Sequence, residues 1–402
     1  MTILEISAPH DGLSGRVALP VSKSHLNRIL MLRQLYQLPI DITPTEQQDL
    51  PNDCDIMYVS LHQLAENHTL YNVQDAGTVF RFLTAILSIT PGEHVLTGTH
   101  RLLSRPINEL IESLNALGAS ITRSVDGSLQ IIGNDYITQS RDLWEIDCST
   151  TSQSASALVM LAPLAQKPIT IQLKGTPVSL SYLDLTISIM KQAGFILTRT
   201  DKLIDVQPYD PARQSLKLPH PEADWSGAGY FIALAALQEG SAFIIENLRL
   251  DSHHPDRALV DVIQKHFPFV HLEQIHNDIK ITSTDRSNTA SNIQVDFTNM
   301  IDQYPTLKVL CYGLGVNLRA IGIDHLKVKE SDRGRVLDDA IHQFEEDSLQ
   351  PLDVHDDHRM AMSLACLSCI NPIRIQHPDV VKKSFPKFWD QLLNLNFTIK
   401  EV

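Results

Sequence analysis

The feature that most restricts the fold is a unit of amphipathic helix, turn and short strand that returns six times along the 402 residues. Its clearest copy is PINELIESLNALGASITRS, where Ile107, Leu110, Ile111 and Leu114 share one helical face and Gly118 stands as the C-terminal cap. The nearest echo is YLDLTISIMKQAGFILTRT, with Gly194 in the place of Gly118. Looser copies run over Ile56–Val73, Arg257–Glu273, Val336–Leu349 and Phe388–Ile399. Repeated helix–strand units predict an internally duplicated α/β architecture with three units in each half. A chain of 402 residues also exceeds what one hydrophobic core usually supports, so two domains are expected.

Between those helices lies a second set, each introduced by small or polar residues with a cation or an amide. In PVSKSHLNRILMLRQL, the residues Arg16 to Leu19 predict a preceding short strand, and Ile29, Leu32, Leu35 and Tyr36 recur at helical spacing until Pro39. Ser22 or Ser24 is the expected cap. A helix N-terminus leaves backbone N–H groups unpaired and carries partial positive charge, so Lys23 and Arg28 there make an anion site. A solvated cap with two surface cations is the plainer alternative. The construction recurs after DAGT with Arg81 in the first turn, after STTSQ, and in ADWSGAGYFIALAALQEG, KESDRGRVLDDAI and HDDHRMAMSLACL. Helix N-termini converging on one cleft would sum their fields, which suits phosphates and carboxylates.

The net charge of −14 argues against nucleic acid or an anionic membrane as partner, yet Lys23, Arg28, Arg81, Arg105, Lys329, Arg333, Arg359 and Lys383 all stand near helix starts. An acidic protein with cations so placed is expected to bind a small, multiply charged anion. The 43% apolar and 20% charged composition is that of a soluble globular protein, and the absence of a membrane-length apolar run or a signal sequence in MTILEISAP predicts a cytoplasmic one. The five scattered cysteines do not suggest a disulfide framework, and Cys366 and Cys369 fall inside an apolar helical run, so buried thiols are expected.

Single motifs leave alternatives open. Ser149–Gln153 is a capping sequence first and a sugar- or phosphate-binding loop second. Arg105 sits before Pro106 at a helix start, where the dipole disfavours a cation, which points to function. Lys329, Glu330 and Arg333 form either a helix-start ion-pair network or a proton-handling pair beside an anion-holding arginine. His355, Asp356, Asp357 and His358 resemble metal ligands superficially, but Arg359 beside them would repel a cation, and no metal is expected. The chain has no GxxxxGK[ST], GxGxxG after a strand, or GxSxG.

In order and spacing, LPVSKSHLNR, DAGTVFRFLTA, RLLSRPINEL, TTSQSASALVMLAPLA, VSLSYLDLT, EADWSGAGYF, MIDQYP, KVKESDR, DDHRMAM and KKSFPKFW resemble the 5-enolpyruvylshikimate-3-phosphate synthase family. The resemblance implies an α/β enolpyruvyl-transferase fold, an inside-out α/β barrel with three βαββαβ units per domain. The N-terminal domain would span residues 21–225, and residues 1–20 plus 226–402 would form the C-terminal one. It implies transfer of the enolpyruvyl group of phosphoenolpyruvate to the 5-hydroxyl of shikimate 3-phosphate, in the pathway to chorismate and aromatic amino acids, by a monomer without a cofactor.

Carried over residue by residue, the resemblance gives shikimate 3-phosphate to Lys23, Ser24, Arg28, Thr151, Ser152, Gln153 and Ser179, with Tyr182, Asp302, Asp324 and Lys329 also contributing. Phosphoenolpyruvate would be held by Lys23, Gly77, Arg105, Gln153, Arg333, Arg359 and Lys383. Asp302 would take the proton of the attacking hydroxyl, and Glu330, helped by Lys329, would protonate the methylene carbon. Val21, Asp75, Asp324 and Lys327 depart from the family's usual glycine, asparagine, asparagine and arginine, and bear on substrate affinity. Two other readings are a catalytically impaired binding protein of the same fold and the sister transferase acting on UDP-N-acetylglucosamine. No cysteine lies in a glycine-rich loop like that of the sister family.

Overall fold

The structure, a computed structural model, describes residues 2–39, 50–176, 180–286, 289–324, 326 and 331–402. The chain divides into a central unit, Lys23–Pro221, and a terminal unit made of Met1–Ser22 and Glu222–Val402.

In the central unit the helices are α1 (Lys23–Tyr36), α2 (Asn52–Ala65), α3 (Gly77–Ile89), α4 (Asn108–Leu117), α5 (Gln153–Leu161) and α6 (Leu180–Ala193). Their sequences sort them into two kinds. In α3 and α5 nearly every side chain is buried, and in α1 an unbroken run from His25 to Leu32 is. By contrast α4 buries only Leu110, Ile111, Leu114 and Leu117, the stripe that helical spacing predicts. Gly118 ends α4 at φ 115°, and Gly194 follows α6 at φ 102°. In both caps the next amide reaches back five residues, Ala119 to the Leu114 carbonyl and Phe195 to that of Met190. A Cβ on Gly118 would stand 3.1 Å from Cβ of Tyr136, so the packing as well as the dihedral favours glycine there.

The strands of this unit form two four-stranded sheets built to one plan. β3 (Leu70–Asn72) runs parallel to β4 (Gly92–Thr97), which pairs antiparallel with β6 (Leu129–Gly133) and through it with β5 (Ser120–Arg123). β7 (Leu143–Asp147) is parallel to β8 (Ile169–Lys174), and β10 (Leu203–Val206) and β9 (Leu197–Thr200) follow antiparallel. Along β6 and β8 burial alternates strictly, so each sheet turns one face to the helices and the other to water. The buried helices therefore lie inside and the sheets outside.

The terminal unit repeats the plan with α7 (Trp225–Leu237), α8 (Ala258–His266), α9 (Tyr304–Gly313), α10 (Arg333–Glu346), α11 (His358–Ala365) and α12 (Phe388–Asn394). Every residue of α7 is buried, as its all-round apolar sequence requires. The first residues of the chain are woven into this unit. β1 (Ile3–Ser7) is the middle strand between β16 (Ile373–Gln376) and β17 (Thr398–Glu401). β2 (Ser14–Ala18) pairs in parallel with β11 (Ala242–Glu246), in a sheet completed by β13 (Asp278–Ser283) and β12 (Val270–Ile275). β14 (Asn292–Asp296) and β15 (Asn317–Ile321) form a parallel pair. The Val336–Leu349 copy keeps its helix, but its strand shrinks to a bridge at Leu352, whose N–H bonds the Arg374 carbonyl at 2.8 Å. Pro351, with no N–H to offer a ladder, precedes that bridge.

Cys54, Cys148, Cys311 and Cys366 are buried and unbridged, and burial pushes the Cys369 thiol up to about 12. Among the described residues no helix is long and apolar enough to cross a membrane.

Candidate active site

Two polar clusters stand at helix N-termini, one in each unit. In the central unit Lys23 opens α1 and places Nζ 3.1 Å from Oδ2 of Asp53, a carboxylate of α2 that is almost fully buried. One turn on, Arg28 is itself 2% exposed. It donates from Nε to Thr186 Oγ1 (2.7 Å), from NH1 to the Ser24 carbonyl (2.6 Å) and from NH2 to the Tyr182 carbonyl (3.0 Å). The guanidinium also lies 5.7 Å from the Phe82 ring centroid and 6.0 Å from that of Tyr182. Burial brings its pKa down to about 10, so it remains a cation at neutral pH.

α3 and α5 meet at their N-termini. Gln153 donates from Nε2 to Thr78 Oγ1 at 3.0 Å and accepts from Arg81 NH1 at 3.2 Å, while Thr151 Oγ1 takes the Gln153 backbone N–H. Ser152, buried beside them, accepts the N–H of Ser156 at its carbonyl. At Gly77 a Cβ would lie 3.1 Å from NH1 of Arg105 and 3.6 Å from NH1 of Arg81, so a side chain there would press on the Arg105 guanidinium. Burial lowers Arg81 to about 10; Glu109 opposes that shift and Arg105 adds to it. Among the described residues no carboxylate forms an ion pair with Arg28, Arg81 or Arg105. Buried or half-buried cations held by carbonyls, amides and hydroxyls carry an unmatched positive charge, which an anionic ligand would neutralise.

In the terminal unit the carboxylate of Asp302 lies between two arginines. Oδ1 accepts from Arg333 NH1 at 2.8 Å and Oδ2 faces Arg359 NH2 at 3.2 Å. Asp357, wholly buried, caps α11 and holds both cations in place: it accepts from Arg333 Nε at 2.8 Å and from the Arg359 backbone N–H at 2.9 Å. The residues before it, His355 and Asp356, take positive φ (50° and 54°), a turn that places Asp357 at the helix mouth. Lys383 ends the turn Pro378–Lys383, which packs against α11.

Other sequence expectations fall differently. Ser179, Lys327, Lys329 and Glu330 lie outside the described residues. Asp324 is exposed. Val21 has no positive φ and pairs in an antiparallel bridge with Ala223, so the β-branched side chain meets an ordinary extended backbone. Asp75 pairs with Arg101 at 2.8 Å and accepts from Thr99 Oγ1, which offsets its charge next to the cationic cluster. Sequence reasoning did not assign site positions to Arg81, Asp53, Asp357 or Ser226. Arg81 had a signal, its first-turn position after AGT, and Asp357 had one in the polar opening of HDDHRMAMSLACL. Among the described residues no group of three or more His, Cys, Asp and Glu side chains is arranged to hold a metal ion.

Buried helices wrapped by mixed sheets in two repeated units define the fold class of the enolpyruvyl transferases. An EPSP synthase structure from Acinetobacter baumannii aligns with TM-score 0.74 at 18% identity, covering 100% of both chains. The enolpyruvyl transferase NikO from Streptomyces tendae aligns with TM-score 0.68 at 13% identity, over 100% of this chain and 99% of that one. Residues 46–392 match the family described as EPSP synthase (3-phosphoshikimate 1-carboxyvinyltransferase). The 3-phosphoshikimate 1-carboxyvinyltransferase of Bacteroides fragilis is 31% identical, with 98% of each chain covered. The chain belongs to the EPSP synthase family.

Proposed function

We propose that this chain transfers the enolpyruvyl group of phosphoenolpyruvate to the 5-hydroxyl of shikimate 3-phosphate and releases phosphate. The observation that carries the reading is the placement of Asp302 between Arg333 and Arg359, a carboxylate held by two buried guanidiniums. Family membership supplies the substrates.

In this account Asp302 removes the proton of the 5-hydroxyl as its oxygen attacks C2 of phosphoenolpyruvate, and Glu330, assisted by Lys329, delivers a proton to C3. The resulting tetrahedral adduct loses phosphate as a proton leaves the new methyl group, restoring the double bond. Arg105, Arg333, Arg359 and Lys383 hold the carboxylate and phosphate of the donor, with Gly77 and Gln153 beside them. Lys23 touches both substrates; Ser24, Arg28, Thr151, Ser152, Gln153, Ser179, Tyr182 and Asp324 hold shikimate 3-phosphate. Both half-reactions are proton transfers coupled to C–O bond changes, so the account uses no cofactor. It gives residues 21–225 the acceptor side and residues 1–20 with 226–402 the acid, the base and most donor cations. The protein acts as a monomer in the cytoplasm.

Purified protein is expected to release inorganic phosphate only when both substrates are supplied. Tight binding of either without turnover would favour a silent binding module, and release with UDP-N-acetylglucosamine as acceptor would favour the sister transferase.

A further inference from the structure

Asp256 has no part in the account above. It lies in the turn Pro255–Arg257 before α8, and its carboxylate is fully buried. Oδ2 accepts from the hydroxyl of Ser226, near the start of α7. Arg359 NH2 approaches the same Ser226 Oγ at 3.4 Å and Asp302 at 3.2 Å, so Asp256, Ser226, Arg359 and Asp302 stand in one polar line. The other oxygen, Oδ1, is buried and makes no hydrogen bond of good geometry among the described residues, although the Gln303 side chain interacts with the carboxylate. A carboxylate oxygen with no donor is costly when charged and tolerable when the group carries a proton. Burial first and the charge of Asp302 second push Asp256 up to about 6, against Arg359, Ser226 and Gln303.

The remaining ionisable groups nearby are few. His254 Nδ1 accepts the Asp256 backbone N–H at 3.2 Å, and its Nε2 is 3.8 Å from Oδ1 of Asp224, the cap of α7. Tyr230 of α7 faces Arg359 and Arg333, and its hydroxyl is held neutral by burial. Asp357 and Arg333 stand beyond Arg359, next to His358 on α11. Arg257 turns away to the Leu250 carbonyl and to Asp261 of α8.

We propose that Asp256 is a positioning residue that acts through Ser226 on Arg359 and, by competing with Asp302 and the donor anion for that cation, tunes the pH dependence of the reaction. When Asp256 is ionised it draws on Arg359 and opposes negative charge on Asp302. When it is protonated, Arg359 is left to Asp302 and the donor anion. The proposal rests on the reading of Asp302 as the base.

The test is the pH dependence of kcat/KM for phosphoenolpyruvate in the full chain, for wild type, Asp256→Asn, Ser226→Ala and Asp302→Asn. Titration of the substrates is common to all four and cancels in the comparison. Asp256→Asn is expected to stay active and to lose the pH dependence that ionisation of Asp256 brings, matching wild type below about pH 6 and exceeding it above. Ser226→Ala is expected to raise KM for phosphoenolpyruvate more than it lowers kcat. A pH profile in Asp256→Asn identical to that of wild type on both sides of pH 6, with Asp302→Asn inactive, would overturn the proposal and leave Asp256 a packing group. Near-normal turnover in Asp302→Asn would instead remove the base. If Asp256→Asn does not fold, Ser226→Ala decides: an unchanged KM and an unchanged pH profile there overturn the proposal equally.

Discussion

Arg333 and Asp357 are joined by two buried hydrogen bonds, Nε to Oδ2 at 2.8 Å and NH2 to Oδ1 at 3.3 Å. The same carboxylate accepts the backbone N–H of Arg359, so one aspartate fixes two cations that flank Asp302. Removing it takes two hydrogen bonds from a buried guanidinium and leaves Arg333 leaning on Asp302. Asp357→Ala is expected to lower unfolding free energy by about 3–5 kcal/mol, the range for breaking a buried pair from one side. Urea denaturation measures this, and a loss under about 1 kcal/mol would show that Arg333 finds another partner.

Lys23 and Asp53 form the corresponding pair in the central unit, at 3.1 Å. Lysine is a flexible point charge, and a fixed carboxylate behind it limits where the ammonium points. Asp53→Asn keeps the shape and removes the charge. It is expected to leave the folded protein intact and reduce kcat/KM by about tenfold, as misplacement of a contacting group does. Steady-state kinetics on the purified variant decides between that and a surface-like pair with no effect.

Arg28 is buried with no carboxylate partner among the described residues, so its charge serves a ligand better than it serves the fold. Arg28→Met is expected to match or exceed wild type in stability without substrate, because an apolar side chain of similar length removes a desolvated cation. Shikimate 3-phosphate should then raise the melting temperature of wild type and fail to raise that of the variant. Equal ligand-induced shifts would take Arg28 out of the binding set.

Asp256 gives stability a pH dependence of known sign. Its folded pKa is raised to about 6, above the ordinary 3.8. Between those values the folded protein binds the proton more tightly than the unfolded chain, so this group's contribution falls as pH rises through the window. Its penalty is full above about 6. Asp256→Asn lacks that term. The urea midpoint of the variant, relative to wild type, is therefore expected to be higher at pH 7.5 than at pH 4.5. A pH-independent difference would mean that Asp256 does not carry the proton.

What the sequence disclosed was local. The helix–glycine–strand units at Gly118 and Gly194 are legible because the apolar period, the cap and the strand lie within about twenty residues of one another. The parallel pairing of β2 with β11 was not, since Ser14 and Ala242 are brought together only by the fold. Lys23, Arg28, Gly77, Arg105, Asp302, Arg333 and Arg359 could be named because helix starts and motif order mark them. Their partners were hidden for a physical reason. Asp53, Asp256 and Ser226 act by reaching across to other elements, and nothing in the spacing of one aspartate or serine says which arginine or lysine it will face. Asp357 was visible as a cap before an apolar helix, but its grip on Arg333 depends on how α10 packs against α11. Asp75 illustrates the converse: a charge that looks unfavourable in sequence is offset by Arg101.

Enolpyruvyl transfer to shikimate 3-phosphate can be followed by ³¹P NMR of the protein incubated with equimolar shikimate 3-phosphate and phosphoenolpyruvate. The phosphoenolpyruvate signal should decay, inorganic phosphate should grow in equal amount, and the shikimate phosphate ester should persist at a new chemical shift. Loss of the ester phosphate, or release of phosphate from phosphoenolpyruvate without any change in the shikimate signal, would contradict it.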